Sequence, residues 1–327
     1  MLQQLEHKPF RGNPYFEQYV DLLISLHDAM RHDDEDEAER LREKMDEPGL
    51  HLNADEIQWV KGLSSDLYML DGDEDFRPLD RSPSQLLADI RTATERSNGN
   101  TMLQLLRRAN FVSAEHRAWF RSRAYGMLGY YSLSIRFLAH AFDLAPERVE
   151  YSHMMLVKLV QQGDFSHARQ TALHLLELPD QPPELRIISA IALCASTEDL
   201  SSEEAHPFLV QAVQVISSLL AAEQQGPLPV DESRVAWMVL AEAYSKLGET
   251  ANAVRASRLG MGGRPEGNRL TLVSEVAERL SALETSSTAD KSADITSQSL
   301  SLLGAYSQQS VNQFMERILS EDYAAAA

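Results

Sequence analysis

What most constrains this chain is a repeat of 34 residues. When "RAYGMLGYYSLSIRFLAHAFDLAP" is set 34 residues ahead of "MLVKLVQQGDFSHARQTALHLLELPD", Gly129 falls on Gly163, Tyr131 on Phe165, Ser134 on Ala168 and Ala141 on Leu175. Pro146 falls on Asp180, one residue past Pro179. A third stretch, "VAWMVLAEAYSKLGETANAVRASRLGMGGRP", carries Gly248, Ala253 and Pro265 at the same three offsets. Each position has a mechanical role. The glycine ends a helix with positive φ, the small residue five places on lets two antiparallel helices cross closely, and the proline stops the second helix. The aromatic at the turn fills the wedge beside the crossing. A helix–turn–helix unit repeated in this way buries its apolar face by stacking on its neighbours.

The spacing resembles the tetratricopeptide repeat family, whose signature runs W-x2-L-G/A-x2-Y, then G, A and P. The copy at 234–267 matches it best, through Trp237, Leu240, Ala241, Tyr244, Gly248, Ala253 and Pro265. The copy at 115–148 has Tyr125, Gly129, Tyr131, Ala141 and Pro146, but Ala118 and Arg121 stand where Trp and Leu are typical. The copy at 149–182 has Gly163, Phe165 and Ala168, with Leu159 in place of the first tyrosine. The resemblance implies an all-α fold, a TPR-like right-handed α-solenoid over residues 81–283. Residues 183–233 form a divergent repeat with a 17-residue excess, built from "PELRIISAIALCA" and the longer "EEAHPFLVQAVQVISSLLAAEQQ".

Around this array the organisation changes. Residues 1–80 show no match to the repeat; "NPYFEQYVDLLISLHDAM", "DEAERLREKM" and "NADEIQWVKGLSSDLYML" read as three helices, the last capped by Asn53. "SPSQLLADIRTATERSNGNTMLQLLRRANF" reads as a helix pair turning at Asn98-Gly99, and "RLTLVSEVAERLSALE" as a terminal capping helix. Residues 284–299 are polar and lack aromatics, as a flexible linker would. Within 300–327, Leu303, Val311, Phe314, Met315, Ile318 and Leu319 sketch one apolar helical face.

Charge narrows the partners. The net charge of −19 argues against a phosphate backbone, so no nucleic acid is expected. Residues 1–80 carry 21 acidic and 8 basic side chains, whereas residues 81–150 carry 6 and 10, including Arg107, Arg108, Arg117, Arg121 and Arg123. An acidic N-terminal helical module thus precedes a basic start to the array. No apolar run approaches the roughly 20 residues of a spanning helix, so no membrane partner is expected. "MLQQLEHKPFRGNPYF" lacks a basic segment followed by an apolar one, so no secretory signal is expected. The single cysteine, Cys194, excludes an internal disulfide and reads as a buried thiol in a cytoplasmic protein.

Candidate chemistry is thin. His140 and His174 are equivalent on the repeat frame and His167 shares nearly the same face, but stacked helices hold equivalent positions ~8–10 Å apart. No metal or other cofactor is therefore expected. "DGDEDF" at 71–76 starts like a calcium loop, yet has Phe76 where Gly is required and Ser82 where the bidentate Glu belongs. "RHDDEDEAER" at 31–40 reads as an acidic helix start, and "GMGGRPEG" at 260–267 as an inter-repeat turn. Without a nucleophile elbow, phosphate loop or HExxH, no enzymatic activity is expected.

What remains is the concave groove that the resemblance implies. Its lining would be His116, Trp119, Arg123 and Met127 from one repeat, His153, Met154 and Val157 from the next, and Met238 and Glu242 from the last copy. Family members that clamp a terminal carboxylate place Lys and Asn where this chain has Trp119, Arg123 and Met154. An aromatic and methionine surface with one arginine suits an amphipathic helix or apolar peptide; Trp119 could equally pack on the preceding helix pair. Two functions follow: a scaffold or adaptor that captures a protein segment, or a regulator whose groove is gated by its own C-terminal helix or a ligand.

Overall fold

Side chains and prolines placed just ahead of apolar stripes set the helix starts. Asn13 accepts the Tyr15 N–H and Pro14 opens α1 (Pro14–Arg31); Asp34 accepts the Glu37 N–H at the start of α2 (Glu35–Gly49). Asn53 and Glu56 form a reciprocal capping box on α3 (Ala54–Tyr68), and Asn13 Nδ2 donates 3.0 Å hydrogen bonds to the same Glu56 carboxylate. Ser82 and Asn98 cap α4 (Pro83–Glu95) and α5 (Gly99–Leu106). Then come α6 (Ala114–Met127), α7 (Tyr131–Leu144), α8 (Val149–Gln162), α9 (Phe165–Glu177), α10 (Pro183–Ala195), α11 (Ser202–Ala222), α12 (Val230–Lys246) and α13 (Thr250–Met261), with a further helix, α14, over 312–322.

This computed structural model describes residues 10, 12–72, 76–178, 181–222, 230–261, 312–322 and 324. Among them every element is helical, with a 3₁₀ turn at Met69–Asp71, so the chain is all-α. The expectations for Pro179, Asp180, Pro265, the inter-repeat turn beyond Met261, the capping helix at 269–284, the linker at 284–299, and Leu303 and Val311 lie outside the described residues. So does the middle of the acidic turn at 73–75; its described Asp71 is occupied by His27 Nε2 at 2.9 Å and Arg31 Nε at 3.0 Å.

The three glycine turns are visible bond by bond. Gly129, Gly163 and Gly248 take φ of +81°, +73° and +77°. In each, the next N–H reaches back to the carbonyl five residues earlier: Tyr130 to Tyr125, Asp164 to Leu159, Glu249 to Tyr244, at 2.9–3.0 Å. That is the helix-ending bond a left-handed residue permits. Ser134, Ala168 and Ala253, five residues after each glycine, are all buried. Ser134 Oγ donates to the Ser122 carbonyl at 2.6 Å, which requires α7 to lie close on α6. Within 183–233, α11 is long, 21 residues against 14 for α7 and 13 for α9.

The chain forms two compact units, Met1–Ala145 with Arg317–Ala327, and Pro146–Glu316. In the first, α1 pairs with α2, α4 with α5, and α6 with both α5 and α7. Its core includes Phe16, Leu63, Leu86, Ile90, Met102, Phe120 and Phe137. At its centre Asp66 of α3, fully buried, accepts from Arg107 Nη2 at 2.6 Å, Arg121 Nε at 3.1 Å and the Tyr125 hydroxyl at 2.7 Å. Gly62, one turn earlier, makes room: a Cβ there would run into the Arg107 guanidinium. Trp59 Nε1 donates to Asn100 at 2.8 Å, and Arg136 of α7 pairs with Asp28 of α1.

In the second unit α10 packs on α8, α9, α11 and α12, and α12 on α11 and α13. The carbonyls at the end of α10 are held by two cations. Lys246 Nζ of α12 donates to the Cys194 carbonyl at 2.7 Å; Arg169 of α9 donates to the Ser196 carbonyl and pairs with Asp199 at 2.7 Å. Positive charge there complements the negative end of the helix dipole. Cys194 is a buried thiol.

Candidate functional site

α6 starts without a cap of its own. Ser113 stands at its N-cap, but the hydroxyl makes no capping bond and is buried without a hydrogen-bond partner. Asp322, from α14, fills the gap. Its Oδ1 lies 3.5 Å from the Ser113 backbone nitrogen, and both carboxylate oxygens lie 3.1 Å from His116 Nδ1. A carboxylate at this point faces the positive end of the α6 dipole. On the other edge of the ring, Glu321 Oε2 and Glu115 Oε1 stand 3.6 and 3.9 Å from Nε2. His116 is 2% exposed, Asp322 3%, and Ile318 and Leu319 are buried beside them in the first unit. In the second unit Phe314 meets the Tyr151 ring edge-on at 5.4 Å. Met315 is also buried, and Asn312, Gln313, Glu316, Arg317, Ser320 and Glu321 are exposed, so α14 buries one stripe and shows the other to solvent.

The other expected groove residues of α6 follow along the same helix. Trp119 is 1% exposed and meets Phe120 edge-on at 4.9 Å. Arg123, one turn on, is half-buried with its guanidinium 5.3 Å from the Trp119 ring centre. Its Nε is buried without an acceptor, and burial alone lowers its pKa to about 10. Met127, a further turn along, is half-buried.

In the second unit, Met154 and Val157 are buried in α8, and His153 is half-buried. Burial lowers the His153 pKa to about 4, against the pull of Glu150, so the ring is neutral at pH 7. On α12 Met238 is half-buried, while Glu242 is buried and pairs with Lys246 at 3.4 Å. The structure thus gathers His116, Trp119, Arg123 and Met127 on α6. It places the α8 and α12 residues on two helices that both pack on α10. His116, Trp119, Met154, Val157 and Glu242 present almost no surface as the chain stands.

Two features carry weight that local sequence signals did not reveal. Asp322 is separated from His116 by 206 residues, and a polar residue closing an amphipathic stripe gives no sign of its partner. Asp66 reads as one more acid on a helix; the readable hint was Arg121, a cation standing where the repeat expects leucine. Among the described residues no three His, Cys, Asp or Glu side chains are placed to hold a metal ion, and His167, exposed, is paired with Asp164 at 2.8 Å. Burial raises the pKa of Cys194, which keeps that thiol protonated. No described helix is long and apolar enough to cross a membrane. No protein-family model matches the chain, and a search of curated proteins finds no match either.

Proposed function

We propose that the chain is a cytoplasmic, TPR-like right-handed α-solenoid that works as a protein-interaction adaptor. Its recognition face on α6 is occupied by its own C-terminal helix until a partner helix takes the place. The observation that carries this reading is the seating of α14. Ile318 and Leu319 are buried in the first unit, and Asp322 caps α6 through Ser113 and His116. An apolar stripe ending in a carboxylate that faces a helix start is how an amphipathic partner helix would bind. Covalent tethering through residues 262–311 raises the local concentration of the tail over a free competitor. The repeat arrangement is supported by the three glycine-ended helix pairs, and by α10 packing on both α8 and α12, as neighbouring repeat units would.

Hydrogen exchange on the full chain tests it. Ile318→Asp, which places a charge in the apolar stripe, is expected to raise exchange across 114–127 at least about tenfold. Exchange around Asp66 is expected to hold. The same variant should then bind a synthetic peptide of residues 310–324 that the unaltered chain binds weakly. Unchanged exchange over α6, or general unfolding from Ile318→Asp and from the milder Asp322→Asn alike, would make α14 a structural cap and remove the gate.

A further inference from the structure

Among the described residues α6 holds one charge, Arg123, that no acceptor answers. Arg123 lies seven residues, or two helical turns, beyond His116, so the two side chains share a face about 10 Å apart along the axis. At the His116 end the carboxylates of Asp322, Glu321 and Glu115 converge. At the Arg123 end the guanidinium stacks on Trp119, its Nε buried with no acceptor. Among the described residues no carboxylate lies within ion-pair distance of it. The other half-buried or buried arginines among the described residues of the first unit are answered: Arg107 and Arg121 by Asp66, Arg136 by Asp28, Arg81 by Asp80 and Asp89, Arg108 by Asp80, Arg117 by the Val112 carbonyl. A desolvated guanidinium without a counter-ion is unfavourable wherever it occurs, and a planar fork resting on an indole is held ready for a carboxylate.

We propose that Arg123 is the specificity position of the α6 face, and that it receives a carboxylate side chain carried by the partner's helix. The proposal rests on α6 being the recognition face. It adds that α14 is an incomplete ligand, matching the apolar stripe and the His116 end but leaving the Arg123 end open. A partner helix with one further acid, aimed at Arg123, has an interaction the tail lacks, and this lets it displace a tethered competitor. That Arg123 loses basicity through burial with nothing to offset it accords with an empty counter-ion position.

The test uses the full chain carrying Ile318→Asp, and the synthetic 310–324 peptide with glutamate placed singly at Asn312, Gln313, Arg317 and Ser320, the non-acidic exposed positions of α14. At least one substituted peptide is expected to bind about tenfold tighter than the parent, the size of one charge-assisted hydrogen bond. That gain should vanish when the protein also carries Arg123→Gln and return in part with Arg123→Lys. The Arg123 Nε–H resonance of the Ile318→Asp chain, followed in a ¹⁵N spectrum, should shift with the tight peptide and not with the parent. If no peptide gains, or if the gain survives Arg123→Gln, the assignment is overturned. Parent binding without any gain leaves the tail-gated reading standing and removes only the role of Arg123; failure of the parent and of every substituted peptide removes both.

Discussion

The two units solve the same problem, a fixed charge inside a helical stack, from opposite directions. In the first, a buried carboxylate is the centre and cations come to it: Asp66 on α3 draws in Arg107 from the end of α5 and both Arg121 and Tyr125 from α6. In the second, the buried acid Glu242 has a single described cation, Lys246 at 3.4 Å, and that lysine also reaches the end of α10. The carbonyls ending α10 are the negative pole, and Lys246 and Arg169 reach them from the helices on either side. A full charge in a dry site needs every partner it has, because removing any one leaves another exposed to low dielectric. A helix end shares a fractional charge over several carbonyls and tolerates loss of one donor. The first unit is therefore the brittle one and the second is graded.

Asp66→Ala should break the comparison most sharply. It leaves two buried guanidinium groups and a phenol without their acceptor, and a loss of about 3–5 kcal/mol is expected. Urea denaturation followed by hydrogen exchange would localise it. Protection should fall over α3, α5 and α6 while α10 to α12 keep theirs. Equal losses in both units would mean that they unfold as one and that the contrast has no thermodynamic content.

Acid gives the same contrast without mutation. Burial pushes the Asp66 carboxyl up, but the charges of Arg107 and Arg121, with hydrogen bonds from Arg107 and Tyr125, outweigh it and hold the group below its ordinary value of 3.8. A folded-state pKa below the unfolded one stabilises the fold at every pH above the unfolded value, and this is lost as pH falls through the folded one. Stability of the first unit should therefore be flat with respect to Asp66 from neutrality to about pH 4 and decline below it. In Asp66→Asn that acid limb should be missing. A decline beginning well above pH 4 and unchanged in Asp66→Asn would place acid sensitivity elsewhere.

The sequence makes one of these regions far more readable than the other. The α10 bounds, the Asn53 cap and the three glycine turns follow from signals within a few residues of one another, and local chemistry is what a sequence displays. The helices that carry Lys246 and Arg169 were likewise legible, though not their target. Asp66 was not legible as a centre, because its partners lie 41, 55 and 59 residues away. On the family resemblance alone Arg121 was odd, a cation where that signature has leucine; in the fold its partner is the buried Asp66. The α6 groove residues were placed on one face of one helix. What His116 meets, Asp322 of α14, lies 206 residues away and leaves no local trace.

The smallest expected effect tests the graded side. In a Glu242→Gln background, which avoids leaving a buried carboxylate without its cation, Lys246→Met removes one of the two cations at the α10 terminus and retains much of the apolar stem, so a loss of about 1 kcal/mol is expected. Arg169→Met should cost about the same, and because both donors serve one set of carbonyls the double variant should exceed the sum. Cys194 reports directly on this end. Its thiol is 1% exposed with a raised pKa, so alkylation at pH 8 requires local opening. In the same background Lys246→Met should speed alkylation about fivefold, and the double variant more than the product of the singles. Strictly multiplicative rates would mean that Lys246 and Arg169 act on separate carbonyls, and the α10 terminus would then be two independent contacts instead of one shared pole.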